Sequence, residues 1–184
     1  MIRIIVALAL LCAWTATSHA QIDLLQYGKL SPAVQGGDLR QAELELKRGE
    51  DANLVESNGK SMLVIAATAG NAEMAKLLIR YGANPNRKDA LGNTALFYAA
   101  ANGEVEVVRA LIDSKANPNI GNNQGMTPLM LAAQQGRVET VQVLLDRGAN
   151  AKLTDYTGRT ALGWARQGGK AAAAQALVAR GAPE

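Results

Sequence analysis

The 184-residue chain has one thiol, Cys12, and one imidazole, His19. A Cys–His pair can make a nucleophile with its base, or two ligands of a metal site. Both side chains fall within the first twenty residues, in a stretch unlike the rest of the chain, so neither is placed to serve a folded site. The carboxylates are the remaining candidates. Asp23, Glu56, Asp89 and Asp155 recur at one spacing. At one per structural unit they stand on the order of 10 Å apart, too far to share an ion whose ligands sit at ~2–2.6 Å. Accepting hydrogen bonds within turns suits them better. Other acids lie beside bases at helical spacing: Glu43–Lys47, Glu73–Lys76 and Glu106–Arg109. Such pairs belong to a solvated helix surface. Gly28-Lys29 and Gly59-Lys60 lack the spacing of a phosphate loop. These residues predict no enzyme, cofactor or metal site.

Residues 1–20 read as a secretory leader. Arg3 gives a short positive region, Ile4 to Trp14 an apolar run, and Ser18-His19-Ala20 the small-residue end that predicts cleavage before Gln21. The apolar run is about half the ~20 residues needed to cross a bilayer. Leu11 stands where lipid modification of Cys12 wants a small residue. Cleavage removes Cys12 and His19 together, leaving a chain without thiol or imidazole. The expected location is the periplasm or the medium, with no stable membrane insertion. Beyond the leader the composition is that of a globular protein, 48% apolar and 19% charged with a net charge of +3. Bases and acids interleave without a basic stripe or interspersed aromatics, so nucleic acid is not an expected partner.

The rest of the chain repeats itself. Gly59, Gly92, Gly125 and Gly158 are one series at 33-residue steps, and Gly37, Gly70, Gly103, Gly136 and Gly169 are another. Leu30, Leu63, Leu96, Leu129 and Leu162 keep the same step, as do Ala33, Ala66, Ala99, Ala132 and Ala165. Asn53, Asn86 and Asn119 form a further series that breaks at Lys152. Within one unit, Asp89 to Asn93 predicts a tight turn in which Gly92 takes a positive φ. Thr94 caps a first short helix over Ala95 to Asn102, which Gly103 ends. Glu104 opens a second helix with Val105, Val108, Leu111 and Ile112 on one side. Thr127 and Pro128 mark the same start in the next unit. Lys115 occupies a slot otherwise held by Gly49, Gly82, Gly148 and Gly181, which predicts a left-handed residue there.

The run Gly125-Met126-Thr127-Pro128-Leu129, followed by Ala132-Ala133, Gly136, Val141, Leu144-Leu145 and Gly148-Ala149, resembles the ankyrin repeat. The resemblance covers about residues 23–182. It implies an all-α solenoid of five helix-turn-helix units with short β-hairpin tips and a concave face. The repeats are about 23–55, 56–88, 89–121, 122–154 and 155–182, in a domain spanning 21–184. The family's T-P-L-H histidine is absent, its slot holding Ser31, Val64, Phe97, Met130 and Gly163, so apolar packing is expected in its place. The first unit is degenerate and the last carries Arg166 in an otherwise Ala or Val slot. Both are expected to be caps with one face toward water. Tyr98 and Trp164 share a slot with Pro32, Ile65 and Leu131 and read as core.

The slots that the family leaves variable are the candidate binding surface. The tips supply Leu91, Asn93, Gln124, Met126, Tyr156 and Arg159, with Leu91 and Met126 as apolar tips. The exposed ends of the first helices supply Asn102, Gln134, Gln135 and Gln167. Apolar and amide groups with little charge suit the centre of a protein interface. The resemblance implies a protein-binding module, and with the leader it is expected to act as a monomer on another protein outside the cytoplasm. It would protect or inhibit a periplasmic partner. The alternative is a secreted effector that binds proteins of another cell, and an enzyme is a third, more remote reading.

Overall fold

The computed structural model describes residues 28–182. The leader, the cleavage site before Gln21 and the first repeat's opening residue, Asp23, lie outside the described residues. Among the described residues ten helices follow in sequence: α1 (Leu30–Gln35), α2 (Leu39–Lys47), α3 (Met62–Thr68), α4 (Ala72–Arg80), α5 (Ala95–Asn102), α6 (Val105–Asp113), α7 (Pro128–Gln134), α8 (Val138–Asp146), α9 (Ala161–Gln167) and α10 (Ala171–Ala179). They form five pairs. The first helices stack on one another in the order α1, α3, α5, α7, α9, and the second helices in the order α2, α4, α6, α8, α10.

The ends of the helices explain why they are so short. Ser61, Thr94, Thr127 and Thr160 each accept a hydrogen bond from the backbone N–H three residues on, satisfying a donor that the first turn leaves free. Pro128 takes the first position of α7, where its missing N–H matters least. Gly103 closes α5 in the left-handed region at φ 83°. A few residues later the chain turns back into the second helix, capped by Asp38 in α2 and Asn71 in α4. Isolated helices of this length are marginal in water, so packing must hold them.

That packing is the repeat itself. Leu30, Leu63, Leu96, Leu129 and Leu162 are all buried, as are Leu78, Leu111, Leu144 and Leu177 from the second helices. Each buried leucine contributes roughly 1.5–3 kcal/mol. The alanine series Ala33, Ala66, Ala99, Ala132 and Ala165 is buried between the leucines, where a larger side chain would force the helices apart. Glu45 stands in the slot of those second-helix leucines and is also buried. Its carboxylate accepts from Gln41 at 2.5 Å and from Arg48 at 2.8 Å.

Polar hooks join one repeat to the next. Asn53 donates to the Gly82 carbonyl at 2.9 Å and accepts from the Asn84 N–H at 2.8 Å. Asn86 does the same with Lys115 and Asn117, and Asn119 with Gly148 and Asn150. The series ends at Lys152, and the slot equivalent to Asn150 is there Pro183, which has no N–H to offer. On the second helices, Arg147 pairs with Asp113 and Arg180 with Asp146 across the same junctions.

One expectation needs correction here. The tips are not β-hairpins: among the described residues the only β-bridge joins Val55 to Ser61. A five-residue turn such as Asp89–Asn93 is closed by one backbone bond between its end residues, which leaves no length for a ladder. The last repeat turns one side of α10 to water, and much of that side is apolar. Ala171, Ala172 and Ala179 are exposed on α10, and Val178 is 50% exposed. Val178 occupies the slot through which Ile79, Ile112 and Leu145 are half-buried at the junction to a following repeat. Among the described residues no repeat follows α10 to cover it.

Candidate protein-binding surface

Each tip is organised around one acid or amide. Asp89 Oδ1 accepts from the N–H groups of Leu91 and Asn93, both at 2.9 Å. Asn122 and Asp155 hold the equivalent pairs, Gln124 with Met126 and Thr157 with Arg159. The second oxygen distinguishes the turns. Asp89 Oδ2 accepts from the Tyr98 hydroxyl at 2.6 Å, and Asp155 Oδ2 from the Trp164 indole N–H at 3.0 Å. Tyr98 and Trp164 are therefore more than core. Half-buried, they tie each turn to the helix it precedes. Leu131 fills that slot where the turn residue is the amide Asn122. A sequence signal exists: a donor-bearing aromatic ring occurs nine residues after Asp89 and after Asp155, and the aliphatic Leu131 nine residues after Asn122.

Burial alone pushes the Asp155 carboxyl up. Hydrogen bonds from the Thr157 hydroxyl, the N–H groups of Arg159 and Thr157, and the Trp164 indole outweigh it and hold the group below the usual carboxylate range. Glu56 follows the same pattern: burial raises it, while donors from Ser31, Gln35 and Asn58 bring it below normal. Burial and the bond to Asp89 both raise the Tyr98 phenol.

Neighbouring tips also join each other. The Asn123 N–H donates to the Leu91 carbonyl and the Tyr156 N–H to the Gln124 carbonyl, each at 3.1 Å. The Tyr156 ring lies against Gly125, where an added Cβ would come within 2.9 Å of it. The third, fourth and fifth tips are thereby joined in one row.

The ten predicted site residues divide into groups on this frame. Leu91 and Tyr156 are exposed, at 65% and 81%. Gln124 is exposed and Arg159 half-buried beside them. Met126 is not the exposed tip expected: it is 7% exposed and belongs to the core, because its slot points back beneath the turn toward the next repeat. Asn93, in the same slot, is 6% exposed and structural. Its amide donates to the Tyr98 hydroxyl and accepts from Asn122 of the next repeat. Asn102, Gln134, Gln135 and Gln167 sit at the far ends of the first helices, roughly 10 Å from the tips at ~1.5 Å rise per residue. Asn102 donates to the Thr68 carbonyl of the preceding repeat at 3.2 Å, and the others are exposed or half-buried.

Gln124, Met126 and Tyr156 do come together. With Asn123, Asp155 and Trp164 they line a shallow hollow of about 320 Å³ between the fourth and fifth tips. Asn123, Asp155 and Trp164 are not among the ten predicted site residues. The residues expected to carry chemistry do not converge: among the described residues, no group of three His, Cys, Asp or Glu side chains could hold a metal ion. No helix among them is long and apolar enough to cross a membrane.

A family model described as ankyrin repeats, in three copies, matches residues 30–122 and 114–183. The chain belongs to the ankyrin-repeat family. Ankyrin repeats are in general protein-interaction modules, and the typical member is not catalytic. No curated protein matches this ankyrin chain in a sequence search.

Proposed function

We propose that this ankyrin protein is a non-catalytic binding module acting outside the cytoplasm, and that its protein partner sits on the row of tips and the adjoining first-helix ends. The observation that carries the reading is the exposure of Leu91 and Tyr156 on turns whose backbone groups are already satisfied. Such turns hold an apolar or aromatic side chain in place before binding, so little ordering is needed to form an interface. Gln124 stands beside Tyr156, and Gln134, Gln135 and Gln167 line the first-helix ends with uncharged donors and acceptors, the composition of an interface centre. The leader sequence supports export, and the absence of thiol and imidazole from the chain beyond Gln21 leaves the usual nucleophiles and bases missing. In this reading the module protects or inhibits a periplasmic protein.

Cell fractionation with intact-mass measurement tests the location. A periplasmic species beginning at Gln21 is expected. A species that still carries Cys12 contradicts the leader. One found in the medium or inside another cell favours the secreted-effector reading instead. Affinity capture with the exported species, followed by mass spectrometry, identifies the partner. A catch limited to proteins that also bind an unrelated ankyrin solenoid would contradict a specific interface.

A further inference from the structure

Arg159 is held in an unusual way. Its stem crosses the start of α9 over Gly163, where an added Cβ would meet Arg159 Cγ at 2.7 Å. The same slot holds the buried side chains of Val64, Phe97 and Met130 in other repeats, so the glycine here makes room for the arginine. The guanidinium then lies 4.4 Å from the centre of the Trp164 ring. The indole is itself fixed by its bond to Asp155. A guanidinium stacked on an aromatic face keeps its N–H edge free for a planar acceptor.

That edge has no acceptor. Among the described residues the Arg159 guanidinium makes no ion pair and no side-chain hydrogen bond. The nearby Asp155 carboxylate is taken up by Thr157, Trp164 and the backbone. The other basic residues at the tips are not in the same state: the exposed Lys88 donates to the Gly121 carbonyl at 2.7 Å, and Lys60 lies half-buried at the second tip. Arg159 thus sets positive charge on Trp164, which lines the hollow together with Met126, Tyr156 and the buried, already occupied Asp155.

We infer that the hollow lined by Trp164, the ring on which Arg159 stacks, receives an apolar side chain from an acidic segment of the protein partner, and that the stacked guanidinium binds a carboxylate of the same segment. This rests on the tips being the interface. It adds the partner's chemistry: an acidic stretch with an apolar residue next to, or one residue from, an aspartate or glutamate. A pair of planar hydrogen bonds between guanidinium and carboxylate supplies direction, and the hollow supplies contact area.

The probes are terminally blocked hexapeptides of Gly and Ser carrying one Leu and one Glu, adjacent or one residue apart, and the same peptides with Gln for Glu. NMR of the purified protein follows the Met126 methyl and the Trp164 indole N–H. The Glu peptides should shift both signals saturably and bind about tenfold more tightly than the Gln peptides. Arg159→Gln should erase that difference. Arg159→Lys should erase most of it, since an ammonium neither stacks nor forks in the same way. Equal binding of Glu and Gln peptides overturns the proposal, as does no binding by either. So does inorganic phosphate saturating the site without moving Met126, which would make it a simple anion site. If partner capture depends on Leu91 and Tyr156 while Glu and Gln peptides bind alike, the interface stands and the acidic segment falls. If capture does not depend on those residues, the interface reading falls separately.

Discussion

Lys115 is the one non-glycine residue with positive φ among the described residues, at 67°. The glycines in its slot, Gly49, Gly82 and Gly148, have no heavy atom within 4 Å of an added Cβ, so Lys115 meets no clash and bears only backbone strain. Lys115→Gly should stabilise the protein by up to about 1 kcal/mol, less the freedom that glycine adds to the unfolded chain. A lowered denaturation midpoint would contradict this. Thr140 is the reverse case. Its Oγ1 is buried without a hydrogen-bond partner in a slot that Val107 fills in the preceding repeat. Thr140→Val keeps the shape and removes the unsatisfied hydroxyl, so a gain of about 1 kcal/mol is expected in denaturant unfolding. The strain at Lys115 was legible because a broken glycine series marks a backbone requirement. The burial of Met126 and Asn93 was not. Alternate residues of a short turn face opposite ways, and which way is set by the neighbouring repeat, which one unit read by itself does not reveal.

Each turn and its helix behave as a unit through the contacts of its acid. The native pKa of Asp155 lies below the ordinary value of 3.8, so the unfolded chain binds its proton first as pH falls. The stabilisation is fully present above about pH 5 and is lost as pH drops through the depressed native value. Asp155→Asn keeps the Oδ1 contacts, as Asn122 does in its own turn, but sets an amide donor against the Trp164 indole N–H. It should cost about 1–3 kcal/mol near neutrality and flatten the acid limb of the stability profile. Equilibrium unfolding across the acid range checks this, and a variant with the wild-type acid limb would contradict it. Between units, Asn119→Ala should cost about 1 kcal/mol and speed hydrogen exchange at the Asn150 N–H, leaving Asn117 protected by Asn86. Unchanged exchange at Asn150 would show that the asparagine hook is dispensable. Helix positions and their caps were readable because Thr, Pro and Gly each act on local backbone. The β-hairpin expectation failed because pairing runs between tips of successive repeats, a distance of one full period along the chain.

Over the whole molecule, the solenoid offers a row of tips, a second-helix side of exposed ion pairs such as Glu73–Lys76, and two ends. The two ends of the described residues carry exposed Leu44 and Val178, in slots that bury or half-bury their counterparts at internal junctions. The tips are different, because Leu91 and Tyr156 are exposed where no junction could cover them. The central claim is that the partner binds there. Partner capture should be compared between Leu91→Asp with Tyr156→Asp and Lys76→Ala with Arg80→Ala. Both pairs lie on the surface, so each should leave the melting temperature nearly unchanged, within the roughly 0.5 kcal/mol usual for surface changes. The account expects capture to be lost in the first pair, since buried anchors carry ~2 kcal/mol or more each, and kept in the second. Capture retained by the Leu91–Tyr156 pair and lost by the Lys76–Arg80 pair would place the partner on the second helices and contradict it.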